Sequence, residues 1–220
     1  MIKRARLPWL IGAASFLFIA ARIFPQLLWF QHYQKSGQFE VWSESPIDRG
    51  KLDSVLSEAQ RLAATSPYYR QSKTRRVFLT SGGWRWHWLA LQSSGAFAIS
   101  MPVRENIVIN RSSTREGLAW NGRTVGGVRR LGPLIAHEDC HGMLRDRFGL
   151  IVDFRLPAWL REGYCDHVAQ ESSLSDAAYA DLQQRREYHP ALPYYEGRKR
   201  VEAVLAANGN NVDALFAGAD

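Results

Sequence analysis

The sequence contains very little cysteine, no internal repeat and no low-complexity tract. Its 220 residues include only two cysteines, Cys140 and Cys165, which are too few for a disulfide framework or for a zinc site built from cysteines. We expect two buried thiols, although an oxidising compartment would allow them to pair. Any metal site must therefore use other ligands.

Long runs of one charge sign are also absent, although basic residues exceed acidic ones. The formal net charge of +7 favours acidic partners such as anionic lipid headgroups, acidic peptides or nucleic acid. The arginines and lysines occur in small groups, and no nucleic-acid-binding motif accompanies them. We therefore predict a solvated basic surface and expect no nucleic-acid partner, while the oligomeric state stays open.

The N-terminal segment is apolar. Residues 1–6 carry three positive charges, and Arg22 is the only charged residue in the segment 7–30. Such a segment is long enough to span a bilayer of ~30 Å, and no small-x-small cleavage site ends it. The sequence thus predicts an uncleaved signal anchor, a transmembrane helix within residues 1–30. The positive charges before it predict a domain on the extracytoplasmic, periplasmic side.

The remainder predicts an α+β fold with a small mixed sheet ahead of a mainly helical C-terminal part. Residues 31–50 are predicted to be a connector, and residues 51–220 a single folded domain. Apolar spacing predicts a helix over 51–64, and short β-prone runs predict strands at 76–80, 95–100 and 106–110. Four further helices are predicted at 133–149, 157–171, 176–187 and from 197 onward.

The tryptophan-rich segment WRWHW, residues 84–88, fits either a strand or a helix. Its three tryptophans fit core packing, a membrane interface or a platform on which bases stack. Of these interpretations we favour core packing. We treat His87 of this segment, and His32 before the sheet, as structural.

The pentapeptide HEDCH at residues 137–141 has the spacing of a zinc site. Residues four apart lie on one face of a helix, so His137 and His141 can bind one zinc ion with Glu138 beside its open position. Catalytic zinc sites use three protein ligands, so a third must come from elsewhere. Leu144 and Arg147 occupy the positions where metzincins require glycine and histidine, which excludes that class.

Downstream, the segment LPAWLREGY at residues 156–164 resembles the second-helix motif of gluzincins, the peptidase clan that includes the thermolysin-like and many aminopeptidase families. The resemblance is closest to small peptidase-MA-like members, covers about residues 76–171 and is most specific in HEDCH and PAWLREG. It implies a zincin-like fold in which Glu162, separated from His141 by twenty residues, is the third zinc ligand. Asp166 matches an aspartate that orients a histidine ligand in thermolysin-like members; the alternative is a carboxylate that faces water.

The same resemblance implies a zinc metallopeptidase that acts on a peptide or protein substrate, with Glu138 activating the attacking water. It implies that the extended substrate pairs with an edge strand, for which Ala96 and Phe97 are the candidates. A second donor to the developing oxyanion should lie downstream of Glu162, and Tyr195 is our choice. The other candidates for that donor are His167, His189, Tyr194 and Arg198.

Two other interpretations remain. In an inactive zinc-binding protein the ligands persist without a substrate cleft, and the presence of Glu138 argues against it. In a membrane-tethered interaction protein the HExxH spacing is accidental, so no stoichiometric metal is expected. The zinc content of the purified protein distinguishes these interpretations.

Overall fold

The computed structural model describes residues 6–218 of the chain. Within them, strands and helices are interspersed up to residue 130, and the remainder is helical. The helices are α1 (Arg6–Ile23), α2 (Arg49–Ala63), α3 (Trp84–Ala90), α4 (Leu131–Phe148), α5 (Val152–Arg155), α6 (Ala158–Ala169), α7 (Asp176–Arg185), α8 (Leu192–Ala207) and α9 (Val212–Ala217). The strands are β1 (His32–Ser36), β2 (Phe39–Ser43), β3 (Arg75–Thr80), β4 (Ala98–Met101), β5 (Asn106–Ser113), β6 (Leu118–Trp120) and β7 (Val128–Arg130).

The seven strands form one mixed sheet, as predicted. Its order is β1-β2-β3-β5-β6-β7, with β4 paired to β5 beside this path. Strand β3 runs parallel to both of its neighbours, β2 and β5, and the other strand pairs are antiparallel. Among the strands that the structure describes, β4 pairs with β5 alone, so one edge of β4 is free.

Alternate residues of the central strands face two different cores. In β3, Val77 and Leu79 pack against α2 and α4, whereas Phe78 packs on the opposite face against α3. This alternation follows from the two-residue period of a strand. Because both faces of β3 are covered by helices, its apolar residues Val77, Phe78 and Leu79 are consecutive and do not alternate with polar ones.

The sheet is larger than the sequence predicted. The strands predicted at 76–80 and 106–110 correspond to β3 and β5, and the one predicted at 95–100 begins at Ala98. The predicted connector, residues 31–50, instead contributes β1 and β2 to the sheet. Strand β1 has the polar sequence HYQKS and only partly buried side chains, so it carries no hydrophobic signal. Strands β6 and β7 have three residues each, too few to show periodicity.

The tryptophan-rich segment is the helix α3. Trp86 is buried, and its indole N–H donates to the carbonyl oxygen of Ser94 at 2.8 Å. Trp84 and Trp88 are exposed. The predicted core packing is therefore confirmed for Trp86 and wrong for Trp84 and Trp88, because residues four apart share one face of a helix and Trp86 lies on the other face.

The predicted transmembrane segment overlaps α1. Residues 1–5 of that segment lie outside the described residues, and α1 ends at Ile23, two residues before a 3-10 helix at Pro25–Leu28. Among residues 6–218, no helix is both long enough and apolar enough to cross a membrane. The structure therefore does not support the predicted span, and the extracytoplasmic location stays a prediction.

The helical half has its own core, built by α4, α6, α8 and α9. Helix α8 begins at Leu192, five residues before the predicted start, and crosses α6 at two glycines. A Cβ atom on Gly163 would lie 2.4 Å from the carbonyl carbon of Gly197, so the helix backbones are in contact there. This close crossing holds α6, which carries Glu162, against the rest of the helical core.

Candidate metal centre and cleft

Helix α4 runs through the interior and carries the HEDCH segment. Residues Leu131 to Arg145 are all buried, including the ionisable side chains, and Glu138 is only 6% exposed. Gly149, which has a φ of +92°, ends the helix in a conformation that favours glycine. Because buried ionisable groups are costly without partners, the surroundings of this helix decide what the motif can do.

Three of the predicted residues meet at one point. His137 Nε2 and His141 Nε2 each lie 3.4 Å from Glu162 Oε2, and the three atoms are all within 4.8 Å of one another. A tetrahedral metal site with bonds of ~2.0–2.1 Å places its ligand atoms roughly 3.3 Å apart. This group could therefore hold a metal ion.

Arg161 fixes the orientation of the Glu162 carboxylate. Its Nε donates to Glu162 Oε1 at 3.0 Å, and its guanidinium also donates to the carbonyl oxygen of Asp153. Since Oε1 is held in this way, Oε2 is the oxygen that faces the two imidazoles.

Asp166 orients His137. Its Oδ1 lies 2.8 Å from His137 Nδ1, while Ser172 Oγ donates to its Oδ2 at 2.7 Å and Arg129 donates to Oδ1 at 3.3 Å. Burial alone would raise the pKa of Asp166, but Arg129 and the hydrogen bonds hold that pKa below its ordinary value. Asp166 is thus a buried, ionised partner of the histidine rather than a carboxylate that faces water.

The two cysteines lie behind the other histidine. Both are buried free thiols, as predicted. Cys165 Sγ is 3.8 Å from His141 Nδ1. Burial raises the pKa of the Cys165 thiol well above its ordinary value, so His141 faces a neutral sulfur while His137 faces a carboxylate.

Charges within the group shift the pKa values of the ligands. Burial would lower the pKa of His137, but the neighbouring Asp166 raises it well above 6.5. Burial would raise the pKa of Glu162, yet the imidazoles hold it well below its ordinary value. A metal ion that binds here must displace any proton that the raised pKa leaves on the imidazole.

A cleft of about 660 Å³ opens beside the group. Glu138 lies on its wall together with all three of the converging side chains. The segment 95–100, whose last three residues belong to the edge strand β4, also lines the cleft. Phe154, His189 and Tyr194 line other parts of the cleft.

The predicted substrate residues Ala96 and Phe97 line the cleft, but their carbonyl groups are already used. Asn110 donates from its side chain to Ala96 O and from its backbone to Phe97 O, both at 2.9 Å. Phe97, just before β4, and Asn110 of β5 thus form a hydrogen-bonded pair. Such pairs alternate along an antiparallel ladder, so the backbone N–H and C=O groups of Ala98 and Ser100 point away from β5, towards the free edge. The free edge that could pair with a peptide therefore begins at Ala98, one residue after the predicted residues Ala96 and Phe97.

Tyr195 does not reach the cleft. Its hydroxyl donates to Asp176 Oδ1 at 2.6 Å, and its ring stacks on Tyr179 with centroids 4.4 Å apart. His167 and Arg198 line a separate cavity on the far side of α6. The structure therefore does not bring these three candidates to the metal group.

The remaining two candidates, His189 and Tyr194, do line the cleft. The backbone N–H of Ala191 donates to His189 Nδ1 at 3.2 Å, which leaves Nε2 as the donor of the neutral ring. Burial first, and then the charge of Glu162, raises the pKa of Tyr194 above 10. Its hydroxyl therefore remains a hydrogen-bond donor across the neutral pH range.

Sequence reasoning missed Arg129, Arg161 and Ser172. Arg161 directly precedes Glu162 within PAWLREG, so its position in the motif was a usable signal. Arg129 comes from β7 and Ser172 from the turn after α6, and nothing local in the sequence relates either residue to the histidines.

Comparison of the chain with protein-family models, with curated proteins and with solved structures finds no match. The fold and the site thus define a mixed α/β domain with a His-His-Glu group that could hold a metal ion.

Proposed function

We propose that this protein is a zinc-dependent metallopeptidase of the gluzincin type, with a zincin-like fold. The observation that carries the proposal is the meeting of His137, His141 and Glu162 within 4.8 Å at the wall of a cleft. Two histidines on one helix and a glutamate on a later helix are the ligand set of several catalytic zinc sites, which keep a further position open. When bound, zinc would act as a Lewis acid that polarises the scissile carbonyl and lowers the pKa of water.

The residues around the ligands have separate tasks in this proposal. Glu138 accepts the proton of the attacking water and passes it to the leaving amine, since it lies beside the ligands on the cleft wall. Tyr194 donates a hydrogen bond to the developing oxyanion and replaces Tyr195 in that role. Asp166 and Arg161 hold His137 and Glu162 in position.

The substrate is an extended peptide segment. Ala98 and Ser100 present free backbone groups at the edge of β4, along the cleft. A peptide can add to such an edge as another strand, and its main-chain hydrogen bonds then position the scissile bond without reading its sequence. The expected selectivity is therefore for unfolded or extended chains.

The first experiment measures zinc content and hydrolysis on the same purified samples. We expect a zinc-to-protein ratio near one after dialysis against metal-free buffer, and cleavage of a mixed quenched-peptide library. Glu138→Gln should keep the zinc and lower the cleavage rate by ~10²-fold or more, whereas Glu162→Gln should lose the zinc. Glu202→Gln, which changes a carboxylate paired with Arg198 outside the cleft, is the matched control and should match wild type.

The outcomes separate the proposal from its alternatives. A ratio near zero in folded protein would refute the ligand assignment and favour an interaction protein. A ratio near one without hydrolysis of any library member would favour the inactive zinc-binding protein. Cleavage that persists in Glu138→Gln would refute the role of Glu138.

A further inference from the structure

Five large apolar side chains are exposed on α3 and on the segments beside it. Trp29 is 77% exposed, Trp84 58% and Trp88 39%, and Leu27 and Leu91 are also exposed. We call these five residues the tryptophan surface. It lies on the side of the sheet covered by α3, whereas the metal group lies in α4 and α6.

Direct contacts connect Trp29 to Trp84 and attach Trp88 to α1. Arg85 donates to the carbonyl oxygens of Leu28 and Trp29, at 2.7 and 2.9 Å, and its guanidinium lies 4.6 Å from the ring centre of Trp84. On the next turn, the ring of Trp88 packs edge-on against Phe18 of α1, with centroids 5.2 Å apart. Buried Trp86 anchors α3 to the sheet between them.

The surface has a basic border. Arg22 donates to the carbonyl oxygen of Leu89 at 2.9 Å, and Arg104 lies over the ring of Phe24 at 4.5 Å. Glu44 is the acidic group that reaches this border among the described residues, and it lies 3.8 Å from Arg85. Helix α1, which contacts Trp88 through Phe18, contains no acidic residue, and its side chains Phe16, Leu17 and Ile19 are exposed.

This combination fits the boundary of a lipid bilayer. Tryptophan is favoured at the headgroup level because its ring is apolar and its N–H is polar, and arginines beside it attract anionic headgroups. A second copy of the chain fits less well, because a symmetric contact through this surface would bring the same arginines together. The net charge of +7 also attracts the chain to an anionic membrane at longer range.

We propose that the tryptophan surface rests on a bilayer that contains anionic lipid, so that the domain itself contacts the membrane in addition to any contact made by α1. This inference concerns lipid binding and does not rest on the peptidase proposal.

The test measures binding of the full chain to vesicles of phosphatidylcholine, with and without one third phosphatidylglycerol. We expect the Trp84→Ser/Trp88→Ser double variant to bind the anionic vesicles about tenfold more weakly, since it removes two interfacial side chains. Leu150→Ser/Ile151→Ser, which changes two exposed apolar residues between α4 and α5, is the matched control and should bind as wild type does. All three proteins should give the same far-UV circular dichroism spectrum, which shows that they are folded.

A second measurement uses brominated lipids, which quench tryptophan fluorescence on contact. We expect the quenched fraction to be smaller in the double variant than in wild type. Equal vesicle binding by the double variant and wild type would refute the proposal, as would equal binding to neutral and anionic vesicles. A dimer in solution that the double variant abolishes would assign the surface to a second copy instead.

Discussion

Each of the three converging side chains has a second contact that fixes its orientation. Asp166 holds His137, the thiol of Cys165 lies behind His141, and Arg161 holds the outer oxygen of Glu162. Arg129 is buried behind Asp166 and keeps that carboxylate paired. These contacts keep the ligand atoms in position. The removal of such an outer partner commonly costs ~10- to 100-fold in metal affinity or activity.

Also at the residue scale, two adjacent tyrosines allow a matched comparison. Tyr194→Phe removes the hydroxyl in the cleft, and we expect it to lower kcat by ~10²–10³-fold while the zinc ratio stays near one. Tyr195→Phe removes only a hydrogen bond to Asp176 outside the cleft, so its kcat should stay close to that of wild type. Peptide hydrolysis at saturating substrate measures both variants. If Tyr195→Phe lowered kcat and Tyr194→Phe did not, Tyr195 would be the oxyanion donor instead of Tyr194.

At the scale of elements, the crossing of α6 and α8 determines where Glu162 sits. The two helices approach through Gly163 and Gly197, and the neighbouring Trp159 backbone also lies within 3.1 Å of where a Cβ on Gly197 would be. No side chain fits at this crossing, so the helices must separate if either glycine is replaced. Since α6 also packs against α4 through Cys165 and Leu160, a shift of α6 would move the third ligand.

The corresponding variant is Gly163→Ala. Its methyl group would lie 2.4 Å from the Gly197 carbonyl carbon, and we expect a loss of about 1–3 kcal/mol in the free energy of unfolding. Gly50→Ala, in the first turn of α2, has only Asp48 Oδ1 nearby at 3.9 Å, and alanine there should be neutral or stabilising by up to about 1 kcal/mol. Urea unfolding measures the stability of both variants. Equal stability of the two variants would contradict the backbone contact.

At the scale of the whole molecule, the His-His-Glu group joins two separate helices, α4 and α6. A ligand that binds only the folded state stabilises it, by about 2.7 kcal/mol when its free concentration is 100 times its Kd. For a chain of this size that corresponds to a rise in Tm of about 5–10 °C. We therefore expect added zinc to raise the Tm of metal-free wild-type protein, and we expect no rise in Glu162→Gln. Calorimetry with zinc and with magnesium checks this; an equal rise with both ions would argue against a specific site.

The sequence by itself determined the features that depend on short-range spacing. Residues 137 and 141 must share a face of any helix that contains them, so a two-histidine site followed from the local pattern alone. The same periodicity placed α2, α4 and α6, and the apolar runs placed β3 and β5. The choice of Glu162 needed the additional resemblance of PAWLREG, because no spacing rule relates residues on different helices.

Only the tertiary structure decided which side chains reach the cleft. Tyr194 and Tyr195 are adjacent, but successive residues on a helix point about 100° apart, so the docking of α8 selects one of them. Arg129, in β7, donates to Asp166, which in turn lies against His137, and β1 joins the sheet with a polar sequence. In α3, packing on the sheet buries Trp86 and exposes its two neighbours. Such packing depends on how all the helices and strands dock against one another, so it cannot be predicted from a local sequence pattern.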